Sequence, residues 1–345
     1  MMQRAFRAFT AISIMLVHTA ACNAAAAVSS DNKSAARSGS AAHDKADVYP
    51  GRPVRFIVPF PPGGSDTVAR IIGQQLAERL GQTFVVDNRP GAASTLGTNL
   101  AAKATPDGYT LLFVTSAFAI SAALYKKLPY DPVRDFAPIT LAAAAPNILV
   151  AHPSIPANSF KELVALVKAR PDGFNYASNG SGSITFLAME MLKSMAGIRI
   201  TEVPYKGAGP SLIALLSGEV QLMMAPLGPS VPHIRAGRLK GIAVPGARRS
   251  ALFPDLPTIA ESGLNGYEAM NWYGVLVPRG VNPHIVGILN QHIVAVLKST
   301  EVQEKFAALG YEPTPSTPKE LDLYVQAEIA RWARVIKDAG VPREG

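Results

Sequence analysis

Cysteine and metal-ligand patterns are nearly absent from this sequence. Its 345 residues include one cysteine, Cys22, so no disulfide can form within the chain. The six histidines form no H-E-x-x-H motif, and none pairs with a cysteine at the spacing of a zinc site. Neither a metal nor a cofactor is therefore predicted.

Charged and aromatic residues are also scarce, at 17% and 7% of the chain. The formal net charge is +8, but lysine and arginine form no run and alternate with acidic residues along the predicted helices. The few aromatic residues are not interleaved with basic clusters. This composition argues against a nucleic-acid partner and favours a solvated basic surface.

The sequence lacks the common motifs of nucleophilic and phosphate-dependent enzymes. There is no G-x-S-x-G nucleophile elbow, no G-x-x-x-x-G-K loop and no G-x-G-x-x-G motif after a strand. Asp66 and Asp87 lie in the region of the predicted site, but helix-dipole and turn roles account for both carboxylates. No catalytic residue is predicted, and the protein is not expected to be an enzyme.

The first residues have the pattern of a targeting signal. Arg4 and Arg7 form a positive n-region, and residues 9–21 form an apolar stretch too short and too rich in alanine for a good membrane span. We therefore predict a signal peptide over residues 1–22 and export from the cytoplasm. Residues 23–48 are small and polar without an apolar period, which predicts a flexible linker.

Cys22 follows Ala20 and Ala21 and resembles the lipid-attachment cysteine of a bacterial lipoprotein. Thr19 departs from that pattern, which usually has leucine or valine there. The alternative is ordinary cleavage near residues 24–26. A flexible linker directly after a lipidated cysteine suits a tethered domain, and it is equally compatible with a leader of no function.

From Tyr49 onwards, short apolar runs alternate with helical stripes. This alternation predicts an α/β fold with open, mostly parallel sheets and helices on both faces. Ligands of such folds bind at the carboxyl ends of the strands. Strands are predicted at 54–60, 83–87, 109–115, 147–151, 174–177, 200–204, 220–224, 239–244 and 272–277. Helices are predicted at 66–80, 92–103, 160–169, 184–195, 208–217, 229–236, 283–298, 301–308 and 318–339.

The segment VRFIVPFPPGGSDTVAR, residues 54–70, joins an apolar strand to a helix through a glycine turn. Ser65 suits the helix N-cap and Asp66 suits its first turn. A strand, a glycine turn and a helix N-terminus together expose backbone N–H groups at a positive dipole end, which is a ready anion site. The alternative is an ordinary βα turn whose glycines only satisfy backbone geometry.

Two later loops are candidates for the opposite wall of a binding cleft. In SNGSGSIT, residues 178–185, Ser183 is predicted to cap a helix and to leave free N–H groups beside it. In VPYKGAGPS, residues 203–211, Lys206 has the charge to pair with a carboxylate. The alternatives are a simple capped helix for the first loop and a solvated lysine for the second.

Several segments together resemble the substrate-binding receptors of tripartite tricarboxylate transporters, the Bug family. The resemblance covers residues 49–340 in the family's order and at close to its spacing. It rests on PFPPGGSDTVAR (59–70), VVDNRPGAASTLG (85–97), PDGYTLL (106–112), NGSGSITFLAMEML (179–192), VPYKGAGPSLIALLSGEVQLM (203–223), PHIRAGRLKGIAV (232–244), RRSALFPDLPTIAESG (248–263) and NWYGVLVP (271–278).

The resemblance implies a type II periplasmic binding protein with two α/β lobes joined by two crossover segments. Lobe 1 is expected at residues 49–143 and 272–345, and lobe 2 at residues 144–271. The crossovers are expected near 141–147 and 267–272. The discontinuous first lobe follows from the resemblance and not from the hydrophobic pattern.

The resemblance also implies a monomeric periplasmic receptor that captures a small organic carboxylate and delivers it to membrane transporter subunits. A sensory receptor for a two-component system and an enzyme on the same fold are the alternatives. Ligand contacts are expected from Phe60, Pro62, Gly63, Gly64, Ser65, Asp66, Ser116, Asn179, Gly180, Ser181, Ser183, Phe186, Tyr205 and Ala225.

The sequence departs from the family pattern at three places. Ser65 and Asp66 are adjacent where the family commonly has one residue between them. Phe186 replaces a common histidine, and Met224 and Ala225 replace a common Phe-Asp pair. We therefore predict a carboxylate without an α-ammonium group, with an apolar or aromatic body, rather than aspartate, glutamate or citrate. The alternative is that Phe186 packs into the core of its lobe and does not meet the ligand.

Overall fold

Short strands and helices alternate along the chain, as the apolar pattern predicts. The computed structural model describes residues 49–63 and 65–345. The predicted signal peptide, the linker, Cys22 and the predicted ligand-binding residue Gly64 lie outside the described residues. None of the helices in these two ranges is long and apolar enough to cross a membrane.

The strands are β1 Val54–Val58, β2 Phe84–Asn88, β3 Thr110–Thr115, β4 Phe136–Ala145, β5 Asn147–Ala151, β6 Asn175–Ser178, β7 Thr201–Pro204, β8 Leu222–Pro226, β9 Lys240–Ala243, β10 Asn271–Pro278 and β11 Glu312–Pro313. The helices are α1 Ser65–Leu80, α2 Thr95–Ala102, α3 Ser116–Leu124, α4 Phe160–Ala169, α5 Ile184–Ala196, α6 Ala208–Leu216, α7 Leu227–Arg235, α8 Pro283–Leu297, α9 Thr300–Ala308 and α10 Pro318–Asp338.

The first sheet has six strands in the order β11-β4-β10-β3-β1-β2. Strand β1 is parallel to β2 and β3, with Ile57 opposite Asp87 and Leu112. Strand β10 is antiparallel to β3 and β4, and β11 is antiparallel to β4. Helices α1, α2, α3, α8, α9 and α10 pack with these strands. We call this unit lobe 1.

The second sheet has five strands in the order β7-β6-β8-β5-β9. Strand β6 is parallel to β7 and β8, whereas β5 is antiparallel to β8 and β9. With helices α4–α7, which lie between these strands in the chain, the sheet forms lobe 2. The two lobes confirm the predicted periplasmic binding fold.

The chain passes between the lobes twice. It leaves the first sheet at Ala145, the end of β4, and enters the second at Asn147, the start of β5. It returns after β9 and re-enters the first sheet at Asn271, the start of β10. Ala145 and Asn271 both lie one or two residues inside the range predicted for lobe 2. The reason is that β4 and β10 remain paired up to these two residues, which are opposite each other.

The prediction of mostly parallel sheets is wrong. Of the described strand pairs, four are parallel and five are antiparallel. Local apolar runs predict strands but not their direction, which the crossovers set here. Strands β4, β5 and β10 adjoin the crossovers, and every antiparallel pair includes at least one of them.

Three elements were not predicted: β4, β11 and α3. Strand β4 contains Pro138 and ends in a run of four alanines, which have low strand propensity. Helix α3 reads SAFAISAAL and is buried at seven of its nine residues, so it has no polar face to produce a stripe. Strand β11 has only two residues. Contacts with the rest of the fold, and not local sequence, determine the secondary structure of these three segments.

The largest hydrophobic core is shared by the two lobes. Trp332 of α10 and Phe118 of α3, both in lobe 1, belong to the same buried cluster as Leu187 and Met189 of α5 in lobe 2. Helix α10 packs against both α3 and α5. Its N-terminus is fixed by a capping box in which the Thr317 hydroxyl accepts from the Glu320 amide.

Candidate functional site

The topology gathers helix N-termini at one edge of each sheet. In lobe 1 the parallel strands β1, β2 and β3 lead into α1, α2 and α3. In lobe 2 the parallel strands β6, β7 and β8 lead into α5, α6 and α7. Because the carboxyl ends of neighbouring parallel strands meet at one edge, each lobe presents three positive helix ends together. Each edge is therefore suited to an anion.

The two edges meet across the space between the lobes. A β-carbon on Gly182, in the β6–α5 loop, would lie 3.0 Å from the Cβ of Ala93, in the β2–α2 turn. The Ser181 hydroxyl donates to the carboxylate of Glu344. The backbone N–H of Glu344 in turn donates to the Leu124 carbonyl of α3, at 3.0 Å. Residues of both lobes thus lie against each other where the two edges meet, and the space between these edges is the candidate ligand cleft.

The β1–α1 loop is held in place from inside by Asp66. The Asn88 amide Nδ2 donates to Asp66 Oδ1 at 2.8 Å and to the Phe60 carbonyl at 2.9 Å. Arg70 Nε donates to Asp66 Oδ2 at 2.7 Å. With 3% of its surface exposed, Asp66 supports the loop from inside, and its contact with a ligand stays a prediction.

Burial by itself would raise the pKa of the Asp66 carboxyl. The hydrogen bonds from Arg70 and Asn88 and the charge of Arg70 outweigh burial and hold the pKa below its ordinary value of 3.8. The carboxyl is therefore ionised at neutral pH. Asp87 is also paired, since it accepts from Arg55 Nε at 2.7 Å and from Arg89 Nε at 3.1 Å.

The other residues of the β1–α1 loop differ in exposure. Pro62 and Gly63 are exposed, Ser65 is half-buried, and Phe60 packs against the lobe 1 core. Gly63 has φ +104° and open space where a β-carbon would stand. The structure thus leaves Pro62 and Gly63 exposed and Ser65 half-buried, and it places the Phe60 ring on the core; contact of these residues with a ligand stays a prediction.

A turn that the sequence did not mark lies beside this loop. Residues Ala92, Ala93 and Ser94 have φ values of 45°, 47° and 76°, in the left-handed region that non-glycine residues rarely occupy. Such backbone strain clusters at ligand sites. Ser94 precedes α2, and its buried hydroxyl has no hydrogen-bond partner among the described residues. Alanine does not indicate a positive φ. In the sequence, this turn was marked only as part of segment 85–97, one of the segments that carry the family resemblance.

Gly97 lets α2 pack directly on both neighbouring loops. A β-carbon at this position would lie 2.6 Å from the Arg89 carbonyl oxygen and 2.8 Å from the Pro59 Cβ. No side chain fits in that space. The β1–α1 loop and the β2–α2 turn are therefore held together through α2.

Ser116 begins α3 at the end of β3 and is 2% exposed. Its hydroxyl donates to the Asn271 Oδ1 at 2.7 Å. Asn271 is the first residue of β10, where the chain returns from lobe 2. The structure thus places Ser116 between the α3 N-terminus and the second crossover, and its hydroxyl proton is engaged in the hydrogen bond to Asn271.

The β6–α5 loop is fixed by hydrogen bonds within itself. The Ser183 hydroxyl accepts from the Phe186 amide at 3.2 Å, so the predicted N-cap of α5 is confirmed. The same hydroxyl donates to the Gly180 carbonyl at 2.6 Å, and the backbone N–H of Asn179 donates to Thr185 Oγ1 at 3.1 Å. Gly180 has φ +98°, a conformation that favours glycine. These hydrogen bonds preorganise the loop.

Asn179 and Tyr205 each meet a partner within lobe 2. Ser211, which the sequence did not single out, donates to Asn179 Oδ1 at 2.9 Å. The Tyr205 hydroxyl donates to Glu219 Oε1 at 2.8 Å. Burial and this carboxylate together raise the pKa of Tyr205 to about 12. Lys206 is exposed.

Two of the predicted contact residues are buried in hydrophobic clusters. Phe186 is 8% exposed and belongs to the large core shared by the lobes, as the alternative interpretation of this residue held. Ala225 is 0% exposed and packs in the lobe 2 core beside β5. In this conformation neither side chain forms the cleft surface, and their contact with a ligand stays a prediction.

Across residues 49–63 and 65–345, no group of three or more His, Cys, Asp or Glu side chains is placed to hold a metal ion.

Two α/β lobes joined by two crossovers, each lobe with helix N-termini at one sheet edge, define a periplasmic binding protein. The model of the tripartite tricarboxylate transporter family receptor matches residues 68–341. The chain therefore belongs to this receptor family, which confirms the resemblance read from the sequence. As a member, it is a periplasmic solute-binding receptor of the tripartite tricarboxylate transporter type.

The chain is 40% identical to Protein BugT of Bordetella pertussis over 308 residues, which are 88% of this chain and 94% of that protein. It is 39% identical to the structure of R. palustris Rpa4515 with adipate, with a TM-score of 0.77 and coverage of 85% and 98%. It is 34% identical to MatC from Rhodopseudomonas palustris with bound malate, with a TM-score of 0.74 and coverage of 84% and 100%.

Proposed function

We propose that this receptor captures a small organic carboxylate in the cleft between the lobes and delivers it to membrane transporter subunits. The observation that carries the proposal is that each lobe gathers three helix N-termini at one sheet edge, and that the β6–α5 loop of one edge lies against the β2–α2 turn of the other. Each helix end behaves as roughly half a positive charge. Adipate and malate, each with two carboxylates, are the ligands named for two relatives of known structure.

One carboxylate is proposed to bind at the lobe 1 edge. Pro62 and Gly63 are exposed there, and the open space beside Gly63 lets a ligand approach the backbone. Ser65 adds a half-buried hydroxyl at the start of α1. Asp66 supports this surface from below through Asn88. Gly64 is proposed as a ligand contact from the sequence alone.

The remainder of the ligand is proposed to bind at the lobe 2 edge. Asn179, Gly180, Ser181 and Ser183 form a half-buried loop whose hydrogen bonds fix its shape. Hydrogen bonding from backbone groups and hydroxyls, with lobe closure, is sufficient for capture. The protein is therefore proposed to act by binding alone and not as an enzyme.

The proposed ligand has no α-ammonium group. Within residues 60–66 and 178–185 the one acidic residue is Asp66, and its carboxylate is already paired with Arg70. Ala225 offers no carboxylate either. These loops offer an ammonium group no unpaired carboxylate, and the Glu344 carboxylate beside them already accepts the Ser181 hydroxyl, so the desolvation of an ammonium group would oppose binding.

Calorimetry tests this function directly. Adipate, malate and benzoate are titrated into the protein beside citrate, aspartate and glutamate. Binding of a simple carboxylate, with no heat from the two amino acids, is expected. Tight binding of glutamate without any response to the simple carboxylates would overturn the ligand class.

A paired substitution then locates the site. Gly63→Val is compared with Gly237→Val, since both glycines are exposed, have positive φ and have no atom within 4 Å of a β-carbon. Gly63→Val is expected to weaken binding at least tenfold, about 1.4 kcal/mol. Gly237 follows α7, away from the two loops, and its variant should bind normally. Equal affinity of the two variants would place the site elsewhere.

The anchoring and assembly proposals concern regions outside the cleft. Cys22 is proposed to carry lipid, with residues 23–48 as the tether between the membrane and lobe 1. The receptor is proposed to be monomeric. Lobe boundaries at residues 143/144 and 271/272 are proposed as the hinge positions, close to the strand ends Ala145 and Asn271.

A further inference from the structure

Two glycines from different lobes touch backbone to backbone. Gly228 is the second residue of α7 in lobe 2, and Gly310 lies between α9 and β11 in lobe 1. A β-carbon on Gly228 would stand 2.5 Å from the Leu309 carbonyl oxygen. A β-carbon on Gly310 would stand 2.8 Å from the Gly228 Cα. No side chain separates the lobes at this point.

The contact lies beside the first crossover. Leu227, the neighbour of Gly228, donates its N–H to the carbonyl of Pro146 at 2.9 Å. Pro146 is the residue between β4 and β5, where the chain changes lobes. On the other side, Glu312 of β11 is paired with Ala144 of β4.

Hydrogen bonds hold the backbone on both sides of the contact between Gly228 and Gly310. The Gly310 amide donates to the Ala307 carbonyl at 3.0 Å, and the Tyr311 amide donates to the Phe306 carbonyl at 2.8 Å. These bonds hold the Leu309–Gly310 turn on the end of α9. Opposite them, the Ser230 hydroxyl bonds the Pro226 carbonyl at 2.8 Å and fixes the first turn of α7.

The backbone conformation of Gly228 does not itself require glycine. Its φ lies outside the positive region, unlike that of Gly310, which is +76°. Pro229 follows and disfavours a helical residue with a β-carbon before it. The same Gly-Pro-Ser sequence occurs at the same position of α6, from Gly209, where no atom lies within 4 Å of a β-carbon. The feature peculiar to Gly228 is its contact with lobe 1.

We propose that the Gly228 contact with Leu309 and Gly310 sets how far the lobes close, and so determines ligand affinity without touching the ligand. A β-carbon placed this near the crossover would act as a wedge close to the rotation axis. A small displacement there becomes a larger separation at the distant Gly182–Ala93 contact, because displacement grows with distance from the axis. The inference rests on the proposed carboxylate function.

The main test compares Gly228→Ala with two controls. Gly209→Ala carries the same pre-proline cost in α6, so it calibrates the melting temperature. Gly287→Ala, inside α8 with open space around its β-carbon, is the control for affinity. Adipate affinity is measured by calorimetry, and the radius of gyration by solution scattering with saturating adipate. Gly228→Ala should raise the Kd at least tenfold, about 1.4 kcal/mol, and enlarge the liganded particle.

A measurement without ligand separates this inference from the proposed function. Spin labels are placed at Leu96→Cys in lobe 1 and Ile213→Cys in lobe 2, both exposed positions, in a Cys22→Ser background. Gly228→Ala should lengthen the distance between the labels in the free protein. If adipate, malate and benzoate all fail to bind the wild type, the proposed function fails and this distance still decides the inference.

Three outcomes would overturn the inference. The first is an unchanged label distance in Gly228→Ala. The second is a lowered melting temperature, relative to Gly209→Ala, with wild-type scattering, which would make the contact ordinary packing. The third is loss of the folded state in Gly228→Ala alone, which would make the contact essential to the fold instead of to closure.

Discussion

Asp66→Asn is the substitution whose effect the structure defines most closely. The carboxylate accepts from Arg70 Nε at 2.7 Å and from Asn88 Nδ2 at 2.8 Å, on different oxygens. An asparagine has nearly the same shape but one acceptor oxygen, and its NH₂ group would face one of these donors. The variant loses the charge, and it sets two donors against each other in a buried place.

The expected cost follows from these contacts. A hydrogen bond to a charged group contributes about 1.5–3 kcal/mol to stability. Because the Arg70 side chain is 53% exposed and can be rehydrated, the lower part of that range applies. We expect a loss of about 2 kcal/mol in the free energy of unfolding. For a chain of this length that lowers the melting temperature by about 4 °C.

Asp172→Asn is the matched control. Asp172 pairs with Arg199 at 2.7 Å, but both side chains are more than half exposed, at 56% and 71%. Its φ of 58° is also one that asparagine tolerates. This control should change stability by less than about 0.5 kcal/mol. A similar melting temperature for the two variants would refute the support role of Asp66.

The pH dependence gives a second check. The pKa of Asp66 is lowered in the folded protein, so its contribution is complete above the unfolded value and disappears as pH falls through the folded value. That folded value is below 3.8. In urea titrations, the difference between wild type and Asp66→Asn should be constant from neutral pH to about pH 5 and shrink toward about pH 3. A difference that grows in acid would contradict the reasoning.

Three further predictions concern other parts of the chain. Thr317→Ala removes the capping box of α10 and should cost about 1 kcal/mol by thermal melting, whereas Thr317→Ser should retain most of it. Glu328→Ala leaves the buried indole N–H groups of Trp272 and Trp332, at 3.0 and 3.1 Å from the carboxylate, without an acceptor. It should destabilise by about 3 kcal/mol. Because Trp272 and Trp332 are the two tryptophans of the chain and both lose their acceptor, the tryptophan emission should shift. Cys22→Ser should release the protein from the membrane fraction, and equal fractionation of variant and wild type would contradict lipidation.

The order of elements and several local features were predictable from the sequence. The strand Val54–Val58, the helix from Ser65 and the capping of α5 by Ser183 all depend on residues within a few positions of each other. Apolar period, glycine turns and capping side chains act over that range. The exposed loop at Pro62 and Gly63 was predictable for the same reason.

The structure alone identified the residues that support these loops. Asn88 is 22 positions from Asp66, and Ser211 is 32 positions from Asn179, yet each pair forms a hydrogen bond in the site. The left-handed turn at Ala92 and Ala93 has no local sequence signal, because alanine does not favour that conformation. These features depend on how distant strands and helices come together.

The direction of the strands and the contacts between the lobes also depend on how distant segments come together. The sequence by itself determined that α/β units follow one another from Tyr49, and the family resemblance supplied the discontinuous lobe. Only the tertiary structure showed that β4 and β10 run antiparallel, and that Gly228 meets Leu309 and Gly310 across the lobes. Hydrophobic period reports which face of a segment is buried. It carries no information on which distant backbone covers that face, or on how closely.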